Sequence, residues 1–408
     1  MFSASYAHLA QPALLPDGAR PFGLPAFRTL ADVLHTYTGD TAIYVIYPRR
    51  IETAARTFLD CFDGKTLYAV KANPHPAVIK TLYASGVRAF DVASIREIDL
   101  VLSICPDAEL YLMNPVKSRR TIQHAYAAGI RHFAFDCETE LNKILHDTGH
   151  ARDLHLHLRL ALPKMESANM PLDGKYGADF QIACQLLKQA RQRAHKLGVS
   201  FHVGSQCMDP ADYVKALAYV HGLLQIADTS IDSLDCGGGF PVRYPGMTPP
   251  PLEAYLARIR KALSIYGFDP LECLIEPGRA LCGEAGSTLA RVDLRKGQDL
   301  YLNEGAYGSL FDAAQCAWKY PIRHHRIGED RQRQADHVGY RFFGPTCDSL
   351  DQMPGPFMLP ADVKEDDWIE ICHLGAYGQA LASDFNGFQS RTTVAVLTDG
   401  PGLSDHVI

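Results

Sequence analysis

The stretch LYAVKANPHPAVIKTL, residues 67–82, carries a lysine to the end of an apolar run. Leu67, Tyr68, Ala69 and Val70 read as a buried strand. Ala72, Asn73 and Pro74 break that strand, and a helical pattern follows at once. A core strand that ends on Lys71 and turns directly into a helix is one unit of a strand–helix repeat.

The unit recurs. Apolar runs stand at TLYAVKA (66–72), RAFDVAS (88–94), ELYLMNP (109–115), HFAFDC (132–137), LHLRLAL (156–162, with its start at Leu154), SFHVGS (200–205), SLDCGGG (233–239) and CLIEPG (273–278). Helical patterns lie between them. In QIACQLLKQARQRAHKLG, residues Ile182, Leu186, Leu187, Ala190, Ala194 and Leu197 share one face, and Gly198 suits the C-terminal stop. Eight alternations of strands apolar on both faces predict an α/β fold, a parallel (β/α)8 barrel. The rhythm changes after Arg279. STLARVDLRKGQDLYLNEG reads as two strands around a Lys-Gly turn, and YRFFGPTCDSLD, DWIEICHLGAYG and TTVAVLTDG continue in strand–turn style. The expected organisation is a barrel over residues 38–279 and a mostly β domain built from residues 1–37 and 280–408.

Composition narrows the class. At 47% hydrophobic and 21% charged residues, the chain has an ordinary soluble globular make-up. A net charge of -6 argues against nucleic acid or an anionic membrane as partner. No run approaches the roughly 18 apolar residues of a membrane span. The start, MFSASYAHLAQPALLPDGARPFGLP, lacks the basic head and clean apolar core of a signal peptide. The 11 cysteines are odd in number and form no C-x-x-C pair, which suits reduced thiols in the cytoplasm. His155 and His157 share a strand face and His324 and His325 are adjacent, but without thiolate or carboxylate partners at ligand spacing they read as core histidines, not metal ligands.

In such a barrel, function gathers where the strands end. Lys71, Asp91, Arg159, His202, Ser205, Gly237, Gly238, Gly239, Glu276 and Arg279 all fall at or near those ends. A desolvated lysine has a lowered pKa and a neutral amine able to form a Schiff base. Backbone N–H groups of GGGFP can cradle a phosphate, although a tight turn explains three glycines equally well. Arg279 can add charge to that phosphate. Glu276 reads either as a functional carboxylate or as the structural partner of an arginine. Lysine, phosphate cradle and carboxylate together fit pyridoxal phosphate, whose ring nitrogen needs an acidic partner to act as an electron sink.

The motifs YAVKAN, FDVAS, FHVGSQ, DCGGGFP, IEPGR, GPTCDS and GAYG…FNGF, in this order, resemble the fold-type III pyridoxal-phosphate decarboxylases, and among them the ornithine decarboxylase-like enzymes. The resemblance runs from about Tyr68 to Phe388. It implies an alanine-racemase-like barrel with a C-terminal β domain, pyridoxal 5'-phosphate as cofactor, and a homodimer with shared active sites. Lys71 would hold the cofactor, His202 would stack on its ring, and Glu276 would pair with the ring nitrogen. Ser205, Gly238, Gly239, Arg279 and Tyr377 would bind the phosphate, with Asp91 and Arg159 in the polar shell. Cys347, the implied proton donor, and Asp348 would reach into a neighbouring subunit's site. Phe385 would line the substrate cavity.

The implied reaction is decarboxylation of a basic L-amino acid, ornithine before lysine, to a diamine of polyamine biosynthesis. Aspartate at position 348 suits a cationic tail, whereas diaminopimelate-type relatives more often carry glutamate there. One feature departs from the family pattern. The register of the usual second acidic clamp falls on Cys316, and the nearest acid is Asp312. Decarboxylation of diaminopimelate, a diaminobutyrate or a carboxy-polyamine is the competing reading. A non-catalytic regulator that binds a partner protein is a further one, opposed by the intact set Lys71, His202, Glu276, Arg279 and Cys347.

Overall fold

The computed structural model describes residues 23–37, 39–165, 167–170, 174–328, 336–388 and 392–397. The leading stretch weighed as a signal peptide lies outside them up to residue 22, as does the end of TTVAVLTDG. The chain divides into two units, one of Ile51–Glu284 with Gly375–Ala380, the other of Met1–Arg50, Ala285–Leu374 and Leu381–Ile408.

The first unit is a closed barrel of eight parallel strands. In order around the wall they are Lys65–Ala69, Ala89–Asp91, Glu109–Leu112, His132–Phe135, His155–Arg159, Lys196–Ser200, Ser233–Asp235 and Glu272–Ile275, the last pairing back onto the first. Leu67, Ala89, Tyr111, Ala134 and Leu274 form a core cluster among them. Side-chain caps open the first helices that follow. His75 accepts from the Ala77 N–H at 3.1 Å, with Pro76 in the first turn, and opens helix Pro76–Ala84. Ser94 caps Ile95–Ile104 through the Glu97 N–H (3.2 Å), and the Glu97 carboxylate returns the bond to the Ala93 N–H (2.7 Å).

Two expectations shift. The predicted helix running to Leu197 ends at Arg191, and Lys196–Ser200 is the sixth strand. Ladder bonds to His155–Arg159 on one side and Ser233–Asp235 on the other outweigh the helical spacing. Gly198 is therefore no helix stop. A Cβ there would sit 2.4 Å from Ser233 Oγ and 2.7 Å from His157 Nδ1. Ile182, expected on the buried face, is 46% exposed. The second shift is the domain boundary, which falls at Arg50/Ile51 and not at residue 38. The buried strand Ile43–Ile46 pairs antiparallel with Gly286–Lys296 and parallel with Thr393–Val396, so it belongs to the other unit.

That second unit is a nine-stranded sheet. Its long strand Gly286–Lys296 turns at Gly297 into Asp299–Leu302, the hairpin expected from the Lys-Gly signal. Phe27, Val33, Ile43, Val45, Leu289, Trp368 and Val394 form a buried cluster on it. No helix among the described residues is long and apolar enough to cross a membrane.

Candidate active site

The barrel's strands deliver the chemistry-bearing residues to one end. Lys71 lies in the single 3-10 turn Val70–Ala72 that follows the first strand, and solvent reaches it there. Asp91 ends the second strand, level with Ala69 of the first. Arg159 ends the fifth, level with Ser200 of the sixth. His202 lies in the loop after Ser200, Ser205 opens the short strand Ser205–Cys207 beyond it, Gly237 to Gly239 follow Asp235, and Glu276 follows Ile275.

Charge coupling ties these residues together. Although solvent reaches Lys71, desolvation by the protein crowded around it pulls its ammonium down; Asp91, then Tyr377 and Glu276, push it up further, so its pKa lies above the ordinary lysine value. This reverses the expectation of a lowered pKa, because the site is rich in carboxylates as well as desolvated. Asp91 is pushed well above the usual carboxylate range, first by burial and then by Glu276. Glu276 is pushed up by burial and by Asp235, which itself rises to about 6 on burial. The His202 imidazole is held well below its ordinary pKa, chiefly by burial, then by Arg159 and Lys71. Its Nδ1 accepts from the Gly204 N–H at 2.9 Å, which fixes a neutral ring.

The glycine loop has a division of labour. Gly237 adopts φ +68, where a Cβ would strike Phe201 O at 2.1 Å, and its N–H donates to Asp235 Oδ1 at 2.8 Å. It therefore shapes the turn, and its N–H is engaged by Asp235. Gly238 leaves room for His202, whose Nε2 would stand 3.2 Å from a Cβ. Arg279 is 5% exposed, with its guanidinium 4.8 Å from the centre of the Tyr377 ring, and its Nη1 donates to Tyr244 Oη at 3.0 Å. Tyr377 reaches the site because segment Gly375–Ala380 docks on the barrel. The Tyr377 N–H donates to Ala72 O (2.9 Å) and Asn73 Nδ2 to Gly375 O (2.8 Å).

The β unit holds a second group. Cys347, exposed, donates from Sγ to Asn386 Oδ1 at 3.4 Å. Asp348 accepts from the Tyr307 hydroxyl and, at Oδ1, from the Leu350 N–H at 3.0 Å. Those two bonds, Leu350's first, hold its carboxyl below the usual range. Phe385 packs on Tyr307, ring centres 4.6 Å apart. A cleft of about 680 Å³ runs beside Cys347, Asp348, Asp351, Asp293, Tyr301 and Phe388. Asp312 and Cys316 are not among its lining residues, and Asp312 is buried at 4% exposure while Cys316 is exposed.

Asp235, Gln206, Tyr244, Tyr307 and Asn386 escaped the sequence reading. Asp235 opens the quoted DCGGGFP, and a carboxylate two residues before a glycine turn was the available signal. The histidine pairs have structural partners. His157 Nε2 meets His132 Nδ1 at 3.1 Å, and His324 and His325 face Asp367 and Glu370 at 2.8 and 3.3 Å, carboxylates supplied across a strand pair and invisible to spacing.

The barrel end fits pyridoxal phosphate. Glu276 Oε1 and Asp91 Oδ1 are buried polar atoms without a hydrogen-bond partner, suited to a cationic ring and its substituents. Residues 48–283 match the family model for the pyridoxal-dependent decarboxylases, pyridoxal binding domain. The chain is 32% identical over 343 residues to the lysine/ornithine decarboxylase of Selenomonas ruminantium, covering 82% of this chain and 84% of that protein. It is 35% identical over 358 residues to the ornithine decarboxylase of Panagrellus redivivus, covering 80% and 78%. The solved structure of lysine/ornithine decarboxylase from Vibrio vulnificus, complexed with cadaverine, matches with a TM-score of 0.77 at 29% identity, over 90% of this chain and 99% of that one. Barrel, collar and family match agree, and the chain belongs to the fold-type III, ornithine decarboxylase-like pyridoxal-dependent decarboxylases, as a pyridoxal-phosphate-dependent amino acid decarboxylase.

Proposed function

We propose that this enzyme decarboxylates a basic L-amino acid with a terminal amine, L-ornithine first and L-lysine second, to a diamine that feeds polyamine synthesis. The observation that carries the substrate is the cleft beside Asp348. Its lining includes Asp293, Asp348 and Asp351 and, among the described residues, no lysine, arginine or histidine. A carboxylate held below its usual range in such a cleft favours a cationic tail and disfavours a second substrate carboxylate.

Each residue then has a task. Lys71 is an ammonium coupled to Asp91, and it would have to shed a proton before its neutral amine could hold the cofactor. His202, locked neutral, offers a flat face for the ring. Glu276, whose Oε1 is left without a partner, would hold the protonated ring nitrogen, and a positive partner there would draw its raised pKa back down. Ser205, Gly238, Gly239, Arg279 and Tyr377 bind the phosphate. Bound there, pyridoxal phosphate supplies the sink for the electron pair left on Cα as carbon dioxide departs. Cys347 Sγ gives a proton to Cα to complete the amine product, with Asn386 Oδ1 orienting the thiol. Cys347 and Asp348 act on the site of a second copy, making the working unit a homodimer. Eleven cysteines with no disulfide among the described residues support a reducing, cytoplasmic setting.

Carbon dioxide release from L-ornithine, L-lysine, L-arginine, 2,4-diaminobutyrate and meso-diaminopimelate tests the reading. Turnover of ornithine or lysine is expected, and turnover of diaminopimelate alone would overturn it. Lys71→Ala should abolish both turnover and the visible absorbance of the lysine-bound cofactor. Retention of that absorbance would remove Lys71 from its role.

A further inference from the structure

Gln206 stands one residue after Ser205, fully buried, in the strand Ser205–Cys207. Its backbone lies in the left-handed region at φ 55, which a residue carrying a Cβ adopts at a cost. The side chain shows what holds it there. Nε2 donates to Val242 O at 2.5 Å, and Oε1 accepts from the Val242 N–H at 3.1 Å. One amide thus satisfies both main-chain groups of a single buried residue in the loop beyond GGGFP. One residue further on, the Cys207 N–H donates to Gly239 O at 2.9 Å. The short strand carrying Ser205 and the loop carrying the glycines are therefore joined at two points.

The join extends to the arginine. Two residues past Val242, the Tyr244 hydroxyl accepts from Arg279 Nη1 at 3.0 Å. Tyr244 is itself braced by Met247, whose N–H donates to Tyr244 O at 2.8 Å. The sulfurs of Met208 and Met247 each lie 3.9 Å from the Gln206 nitrogen and help shield the amide from water. Three separate stretches of chain, holding Ser205, Gly238–Gly239 and Arg279, are thus linked through the Gln206 amide, the Cys207–Gly239 bond and the Tyr244 hydroxyl.

We propose that Gln206 is a positioning residue whose amide sets the spacing of the phosphate cradle, and that it thereby governs affinity for the phosphate of the cofactor. The inference rests on the assignment of Ser205, Gly238, Gly239 and Arg279 to that phosphate. A side chain that merely fills space would act alike on every ligand of the barrel. A clamp on the cradle acts on the phosphate alone.

The test titrates full-length apoprotein with pyridoxal phosphate and, separately, with pyridoxal, which lacks the phosphate. Binding is followed by the visible absorbance of the lysine-bound cofactor. Gln206→Glu keeps the volume but sets an acceptor against Val242 O. Gln206→Gly suits the left-handed backbone and removes the amide, so a folding failure of one variant leaves the other. Both should weaken pyridoxal phosphate roughly tenfold or more, the size of one lost buried hydrogen bond, and leave pyridoxal unchanged. Equal weakening of both ligands, or of neither, overturns the clamp. Arg279→Gln separates the underlying assignment. If it keeps the wild-type preference for pyridoxal phosphate over pyridoxal, the phosphate assignment itself fails and the clamp falls with it. If it loses that preference while the Gln206 variants retain theirs, only the clamp is wrong.

Discussion

The two ends of the barrel carry the same kinds of side chain in opposite states. At the N-terminal end, the first residues of the strands neutralise one another. Lys65 Nζ reaches Glu109 at 2.7 Å and Glu272 at 3.1 Å, and Lys196 reaches Glu272 at 3.3 Å. Tyr111 Oη donates to Glu109 at 2.7 Å, and His132 approaches the same carboxylate at 3.4 Å. Glu109 and Glu272 are held below the usual range, because these partners overcome the cost of their burial. At the C-terminal end Asp91, Asp235 and Glu276 are pushed above that range, and each keeps a buried oxygen without a hydrogen-bond partner. Satisfied carboxylates mark the end that stabilises the barrel, where the buried atom left unpaired in the ring is a neutral imidazole nitrogen, His155 Nδ1. Unspent hydrogen-bonding capacity marks the end that binds and reacts.

The strongest way to break this contrast is Glu276→Gln. Losing the carboxylate should lower kcat/KM roughly 10²–10³-fold, the scale of one lost electrostatic stabiliser of the reacting group. The apoprotein should melt at the same temperature as wild type or higher, since a crowded buried acid becomes a neutral amide. Steady-state kinetics beside thermal melts of the apoprotein give both numbers. A variant that loses stability along with activity would place Glu276 with the structural residues.

The C-terminal collar was legible in sequence because each member follows an apolar run, so strand counting alone puts it at the mouth. Lys71, Asp91, Arg159 and Glu276 needed no pairing information. The N-terminal ring was not legible. Lys65, Glu109, His132, His155, Lys196 and Glu272 are each the first residue of a strand, and a polar flank looks the same whether it meets water or a neighbour. Only barrel register brings Lys65 between Glu109 and Glu272. The sixth strand was misread for a related reason, since Leu197 fits a helical face until its ladder partners are known. Asp348 was found by motif, but its bond to Tyr307 spans 41 residues and had no local trace. Gln206 was passed over inside FHVGSQ because its work is done on the backbone of Val242.

Lys65→Met tests the other half of the comparison. It leaves Glu109 and Glu272 facing each other with less positive charge between them. Both carboxylates are partly exposed, at 42% and 31%, so solvent screening trims the loss to about 1–2 kcal/mol of unfolding free energy. Urea unfolding of the holoenzyme measures this, and kcat should not change. A fall in kcat without a fall in stability would mean the two ends are coupled.

The smallest effect is also the one that sets the two ends against each other, because their titrations carry opposite signs. His155 is lowered from 6.5 to about 4 by burial and by its histidine and lysine neighbours, and His157 is held well below its ordinary value, chiefly by burial. Both stay neutral in the folded barrel while the unfolded chain takes up protons. Between about pH 4 and 6.5 the unfolded state therefore binds more protons, and this contribution to stability is lost as pH falls through that window. Asp235 has the reverse linkage. Its pKa rises from 3.8 to about 6, so between those values the folded state holds the extra proton and stability falls as pH rises. His155→Gln should reduce the acid-side loss between pH 7 and pH 4 by about 1 kcal/mol, discounted for the half-exposed ring. Asp235→Asn, which keeps an acceptor for the Gly237 N–H, should steepen that loss by removing the opposing contribution. Urea unfolding of the apoproteins at pH 4, 5, 6 and 7 resolves the two slopes. If both substitutions move the profile in the same direction, the assignment of neutral histidines to one end and protonated acids to the other is wrong.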